Sequence, residues 1–108
     1  MASFTIKQND RLPELVATLL AAGEPVNLTG AEGVEFHMTP VGGGAPKVDA
    51  AGVIVNAVTG IVKYAWAVGD TDTVGAFLGE FEVMWSGARP ETFPNDSNID
   101  ILVVDDLA

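Results

Sequence analysis

The chain has 108 residues, no cysteine, and fifteen acidic against five basic side chains, for a net charge of −10. That length fits one domain with a core of its own, and the lack of cysteine excludes a disulfide framework and any thiolate metal site. The negative surface repels phosphate backbones and anionic lipid, so neither nucleic acid nor membrane is expected as a partner, and solubility is the simplest use of the charge.

The N-terminal stretch MASFTIKQNDR has no charged region followed by an apolar one, so it does not read as a secretory signal. Ser3–Lys7 opens with Phe4 and Ile6 on one face and Thr5 and Lys7 on the other, the period-two alternation of a strand. Leu12–Ala22 reads two ways. Leu12, Leu15, Val16, Leu19 and Leu20 recur at helical spacing, with Asp10 placed to cap and Gly23 placed to terminate. A strand covered in part on both faces would carry the same residues.

Val34, Phe36 and Met38 alternate with Glu35, His37 and Thr39, which predicts a half-buried strand. The glycines at 42–44 break the chain, Lys47–Asp49 returns as a short edge strand, and Val53–Ala57 forms the next one. Gly60 supplies the left-handed residue of a bulged turn. The following strand places Val62, Tyr64, Trp66 and Val68 on one face. Asp70 is expected to accept N–H bonds from the residues after it, in a single helical turn around Asp70–Thr73. The longest strand points Phe77, Gly79, Phe81, Val83 and Trp85 one way, with Leu78, Glu80, Glu82 and Met84 opposite. Ser86–Ala88 turns, Arg89–Phe93 pairs back, Pro94–Ser97 turns again, and Ile99, Ile101 and Val103 make the last strand. Eight or nine short strands with close turn signals predict an all-β sandwich or barrel, with residues 1–108 as one domain.

No catalytic, cofactor-binding or metal-binding constellation emerges, so the chain is not expected to be an enzyme. His37 is the one histidine and reads as a solvated strand residue, which leaves zinc without a second imidazole. Neither Ser86-Gly87 nor Asp96-Ser97 makes a nucleophile elbow. Asp70 and Asp72 match only the opening of a calcium loop, without its glycine and closing glutamate. Glu80 and Glu82 read as a solvated face that discourages edge-to-edge pairing. Gly42–Gly44 lacks the lysine and helix of a phosphate loop. Asn27-Leu28-Thr29 and Asn95-Asp96-Ser97 match the glycosylation triplet, which carries no meaning without secretion. Trp66 and Trp85 fall on apolar strand faces and read as core anchors. Phe93 is the main candidate for an exposed loop aromatic that could recognise a ligand.

The order of motifs carries a resemblance. Phe4-Thr-Ile-Lys, Asp10-Arg-Leu-Pro, Ala17-Thr-Leu and Gly23-Glu-Pro-Val-Asn-Leu-Thr-Gly are followed by Val34-Glu-Phe-His-Met, Thr59-Gly-Ile-Val-Lys-Tyr and Trp66-Ala-Val-Gly-Asp-Thr-Asp-Thr-Val-Gly. The series closes with Glu80-Phe-Glu-Val, Gly87-Ala-Arg, Phe93-Pro-Asn-Asp and Ile99-Asp-Ile. Across nearly its whole length the chain resembles the N-terminal immunoglobulin-like domain of phage baseplate upper proteins. The resemblance implies an immunoglobulin-like β-sandwich and a non-enzymatic bacteriophage virion protein, made in the host bacterial cytoplasm, that docks other virion proteins of tail, baseplate or capsid, with a homo-oligomer in the particle as one arrangement. It also implies a strand over Leu12–Ala22. Members of that family continue into a stalk, whereas this sequence ends at Ala108. A free-standing adaptor, a neck or head-decoration protein, or a glycan- or protein-binding module are therefore the alternatives.

Overall fold

The computed structural model describes residues 3–95 and 98–107. Within them the chain forms β1 (Ser3–Lys7), β2 (Leu15–Thr18), β3 (Leu20–Ala21), β4 (Glu24–Pro25), β5 (Gly33–Pro40) and β6 (Val48–Ala51). It continues with β7 (Val53–Asn56), β8 (Ile61–Tyr64), β9 (Gly75–Trp85), β10 (Arg89–Phe93) and β11 (Ile99–Val104). No helix occurs among the described residues. Nine of these strands have at least four residues, and β3 with β4 adds a two-residue ladder.

The larger sheet runs β1-β11-β9-β5-β6, and the smaller one runs β2-β8-β7. Strand β9 organises the larger sheet. One of its edges pairs with β5 from Gly33↔Met84 to Pro40↔Phe77. The other edge is shared: β11 occupies Gly75–Gly79 and β10 occupies Phe81–Trp85. All pairings are antiparallel except β1 with β11, which is parallel.

The core lies between the two sheets, as period-two patterning requires. From the larger sheet come Val34, Phe36 and Met38 of β5, Phe77, Phe81 and Val83 of β9, and Ile99, Ile101 and Val103 of β11. Leu15, Val62 and Tyr64 answer from the smaller sheet. Phe36 is the hub. It stacks on Tyr64 at 4.7 Å, tilts against Phe81 at 5.1 Å and meets the edge of Trp66 at 5.8 Å. Gly79 sits inward in this layer because a Cβ there would lie 2.6 Å from Ile101 Cδ1 and 3.2 Å from Phe36 Cε1.

Within Leu12–Ala22, Leu15–Thr18 and Leu20–Ala21 are strand, as the strand reading holds, and the helical spacing has a simple origin. Leu15, Ala17 and Leu19 turn inward while Val16, Thr18 and Leu20 turn outward. Apolar residues on both faces of a strand recur every fourth position, which imitates a helical stripe. Ala22 and Gly23, at φ 53° and 80°, form the tip of a two-residue hairpin between β3 and β4. Gly23 is thus a hairpin residue, and this short ladder is an element that the sequence pattern did not announce. A second correction concerns β8. It stops at Tyr64, and although Trp66 still points into the core, Val68 lies in a turn and is exposed.

Candidate functional site

Two places concentrate polar side chains: a turn that ties the N-terminal segment to the core, and the outer face of the larger sheet. The turn is built around Asp70. Its carboxylate accepts the Tyr64 hydroxyl at 2.6 Å and the Ala67 N–H at 2.8 Å. Asp70 therefore holds residues that precede it, and the expected helical cap is replaced by a backward-closing turn with Asp70 N–H donating to the Ala67 carbonyl. Burial, then the bond to Asp70, pushes the Tyr64 phenol well above its usual range. Asp72 instead receives Lys47 Nζ at 2.5 Å, and its carboxyl is held below the usual carboxylate range, first by that bond.

The same turn grips the segment before β2. The buried Thr71 hydroxyl donates to the Asp10 carbonyl at 2.8 Å, and Asn9 N–H donates to the Thr71 carbonyl at 3.0 Å. Arg11 Nε donates to the Trp66 carbonyl at 3.2 Å, while Trp66 Nε1 donates to the Pro13 carbonyl at 3.1 Å. Two motifs some sixty residues apart, Asp10-Arg-Leu-Pro and the run from Trp66 to Thr73, thereby interlock.

The outer face of β5, β6 and β9 is different in character. Register places His37 opposite Asp49 on one side and opposite Glu80 on the other. Glu35 lies two residues back on the same face. His37 Nδ1 lies 3.0 Å from Glu80 Oε2, and Nε2 lies 3.4 Å from Asp49 Oδ1 and 3.6 Å from Glu35 Oε1. Burial disfavours the charged ring, but the bond to Glu80 and the charges of Asp49 and Glu80 outweigh it and hold the His37 pKa above its usual value. The lysine ion pairs lie elsewhere, between Lys47 and Asp72 and between Lys63 and Glu14. Among the described residues, Glu35, His37 and Asp49 could hold a metal ion between them, with one ligand atom each and all three atoms within 4.8 Å of one another. Beside them, an open cleft of about 350 Å³ is lined by Glu32, Glu35 and Glu82 together with Val34, Ala51 and Met84.

These placements revise several sequence expectations. His37 is not an isolated solvated residue: its side chain is 22% exposed and carboxylates surround it. Glu80 is half-buried and engaged with His37, whereas Glu82 lines the cleft. Phe93 is 1% exposed, packed at the end of β10, and offers nothing to a ligand. Trp66 is a core anchor, but Trp85 is only partly buried, with Nε1 donating to Glu91 at 3.0 Å. Gly42–Gly44 form an exposed turn closed by Gly43 N–H on the Pro40 carbonyl. Asn27 takes the Thr29 N–H in a local turn. Of the expected Pro94–Ser97 turn, and of the Asp96-Ser97 and Asn95-Asp96-Ser97 motifs, residues 96 and 97 lie outside the described residues.

The alternation of Glu35 and His37 on one outward face was visible in the sequence, but their partners were not. Asp49 and Glu80 reach His37 only through the registers of β6 and β9. Compared with protein-family models and with curated proteins, the chain matches none.

Proposed function

We propose that this domain is a non-enzymatic structural module of a bacteriophage particle, an adaptor or anchoring unit of tail or baseplate with an immunoglobulin-like sandwich. The observation that carries the reading is the interlock of Asn9, Asp10, Arg11 and Pro13 with Trp66 and Thr71. These residues belong to, or directly adjoin, the motifs on which the resemblance to baseplate upper proteins rests. The side chains of Arg11, Trp66 and Thr71, with backbone groups of Asn9, Asp10 and Pro13, are spent on holding the N-terminal segment against the core. Motifs of this kind specify a fold, and their shared order speaks for a shared architecture.

Neck or head-surface placement within a particle is the nearest variant, since the same sandwich serves either position. A glycan-binding module has less behind it, because Phe93, its main candidate contact, is buried. The test is mass spectrometry of density-purified particles released from producing cells. The chain is expected at a fixed ratio to the major virion proteins. Recovery only in the soluble, particle-free fraction contradicts the proposal.

A further inference from the structure

We propose that Glu35, His37 and Asp49, on the outer face of the larger sheet, form a zinc-binding site in which Glu80 orients the histidine. An ionised carboxylate only accepts, so the 3.0 Å contact between His37 Nδ1 and Glu80 Oε2 places the ring proton on Nδ1. In the neutral ring the Nε2 lone pair then faces two further acceptors, Asp49 Oδ1 and Glu35 Oε1, with no donor between them. Three converging electron pairs repel unless a positive charge lies among them. A divalent cation meets that need, and a proton on Nε2 is the competing occupant.

The distances admit a metal. At 3.4 and 3.6 Å, the Nε2–carboxylate separations exceed the usual range of an N–H···O bond. A tetrahedral centre with bonds of about 2.0–2.2 Å has ligand–ligand edges of about 3.3–3.6 Å. The octahedral centres of magnesium or manganese, at similar bond lengths, have edges of only about 2.8–3.1 Å. The remaining Glu35–Asp49 edge is at most 4.8 Å, and closing it to a tetrahedral edge requires the two exposed carboxylates to turn inward. One imidazole with two carboxylates suits a borderline cation such as zinc, and three protein ligands leave the fourth position open. Glu80 supplies the outer carboxylate that ligating histidines characteristically hold on their second nitrogen. This inference stands apart from the virion proposal.

The test is calorimetric titration of the full chain with zinc chloride near neutral pH and at physiological ionic strength. Saturable binding of one ion per chain is expected. Asp49→Asn and His37→Gln should each weaken it at least tenfold, and Glu80→Gln by about 10–100-fold, the usual cost of losing an orienting partner. Asp100→Asn, on the outward face of β11, should leave it unchanged. Cobalt(II) should give the intense visible absorption of a tetrahedral centre, absent in His37→Gln. Asp49 is exposed, so its variant keeps the fold and decides the matter even if His37→Gln melts early. Absence of saturable zinc binding, or equal affinity in Asp49→Asn and wild type, would overturn the site and leave a proton as the occupant.

Discussion

Gly60 offers a sharp test of the packing of the turn between β7 and β8 against the segment that carries β3 and β4. Its φ is 72°, and a Cβ there would lie 2.5 Å from the Val26 carbonyl oxygen and 3.1 Å from that of Leu19. Both obstacles are backbone, and Leu19 N–H is itself bonded to the Gly60 carbonyl at 2.8 Å. Gly60→Ala therefore carries two costs. Left-handed backbone costs alanine about 1–2 kcal/mol relative to glycine. Displacing a packed chain to admit one methyl adds about 1–3 kcal/mol. The total of about 2–5 kcal/mol corresponds to a fall in melting temperature on the order of 10–25 °C for a domain of this size. Gly23→Ala is the matched control, because its φ is 80° and nothing lies within 4 Å of the added carbon. It should show the conformational cost alone. Thermal denaturation followed by circular dichroism reads both variants. Equal losses in the two would refute the close approach at Gly60.

Two further outcomes follow from the aromatic layer. Trp66→Ala should destabilise the domain by about 3–5 kcal/mol in urea denaturation, as for a large core aromatic. Trp85→Ala should cost clearly less, since its ring is only partly buried; the reverse order would contradict the placement of both rings. Tyr64 contributes to stability at alkaline pH. Its folded phenol is raised above the unfolded value of about 10, so its contribution is complete below that pH and is lost as pH rises through the folded pKa. Unfolding free energies measured upward from pH 9 should fall more steeply in wild type than in Tyr64→Phe. Parallel profiles would remove the Tyr64–Asp70 bond from the explanation.

How far the sequence disclosed this depends on how local each feature is. The alternation in β9 was legible from Phe77 to Trp85 because each residue's face follows from its own position. Arg89–Phe93 was legible too, since Ser86–Ala88 announces the turn before it. The spacing of Leu12–Ala22 does not by itself distinguish helix from strand, because apolar residues on both faces of a strand mimic a helical period. Asp70 was recognised as a turn former, but not the direction of its bonds, which depends on Tyr64 arriving from β8. Phe93 is not legible as a core residue because it stands beside a turn that opens with proline and so resembles a loop aromatic, whereas its register partner Phe81 carries it into the core. The cluster around His37 was the least legible. It joins residues from three strands, and no local pattern encodes their registers.

The direct test of the structural-module account is electron cryomicroscopy of intact particles from cells producing this protein. The account predicts density for the two-sheet sandwich at symmetry-related positions on the tail tip or another virion surface, in contact with neighbouring virion proteins. Particles complete at those surfaces without such density, with the protein left in solution, would contradict it.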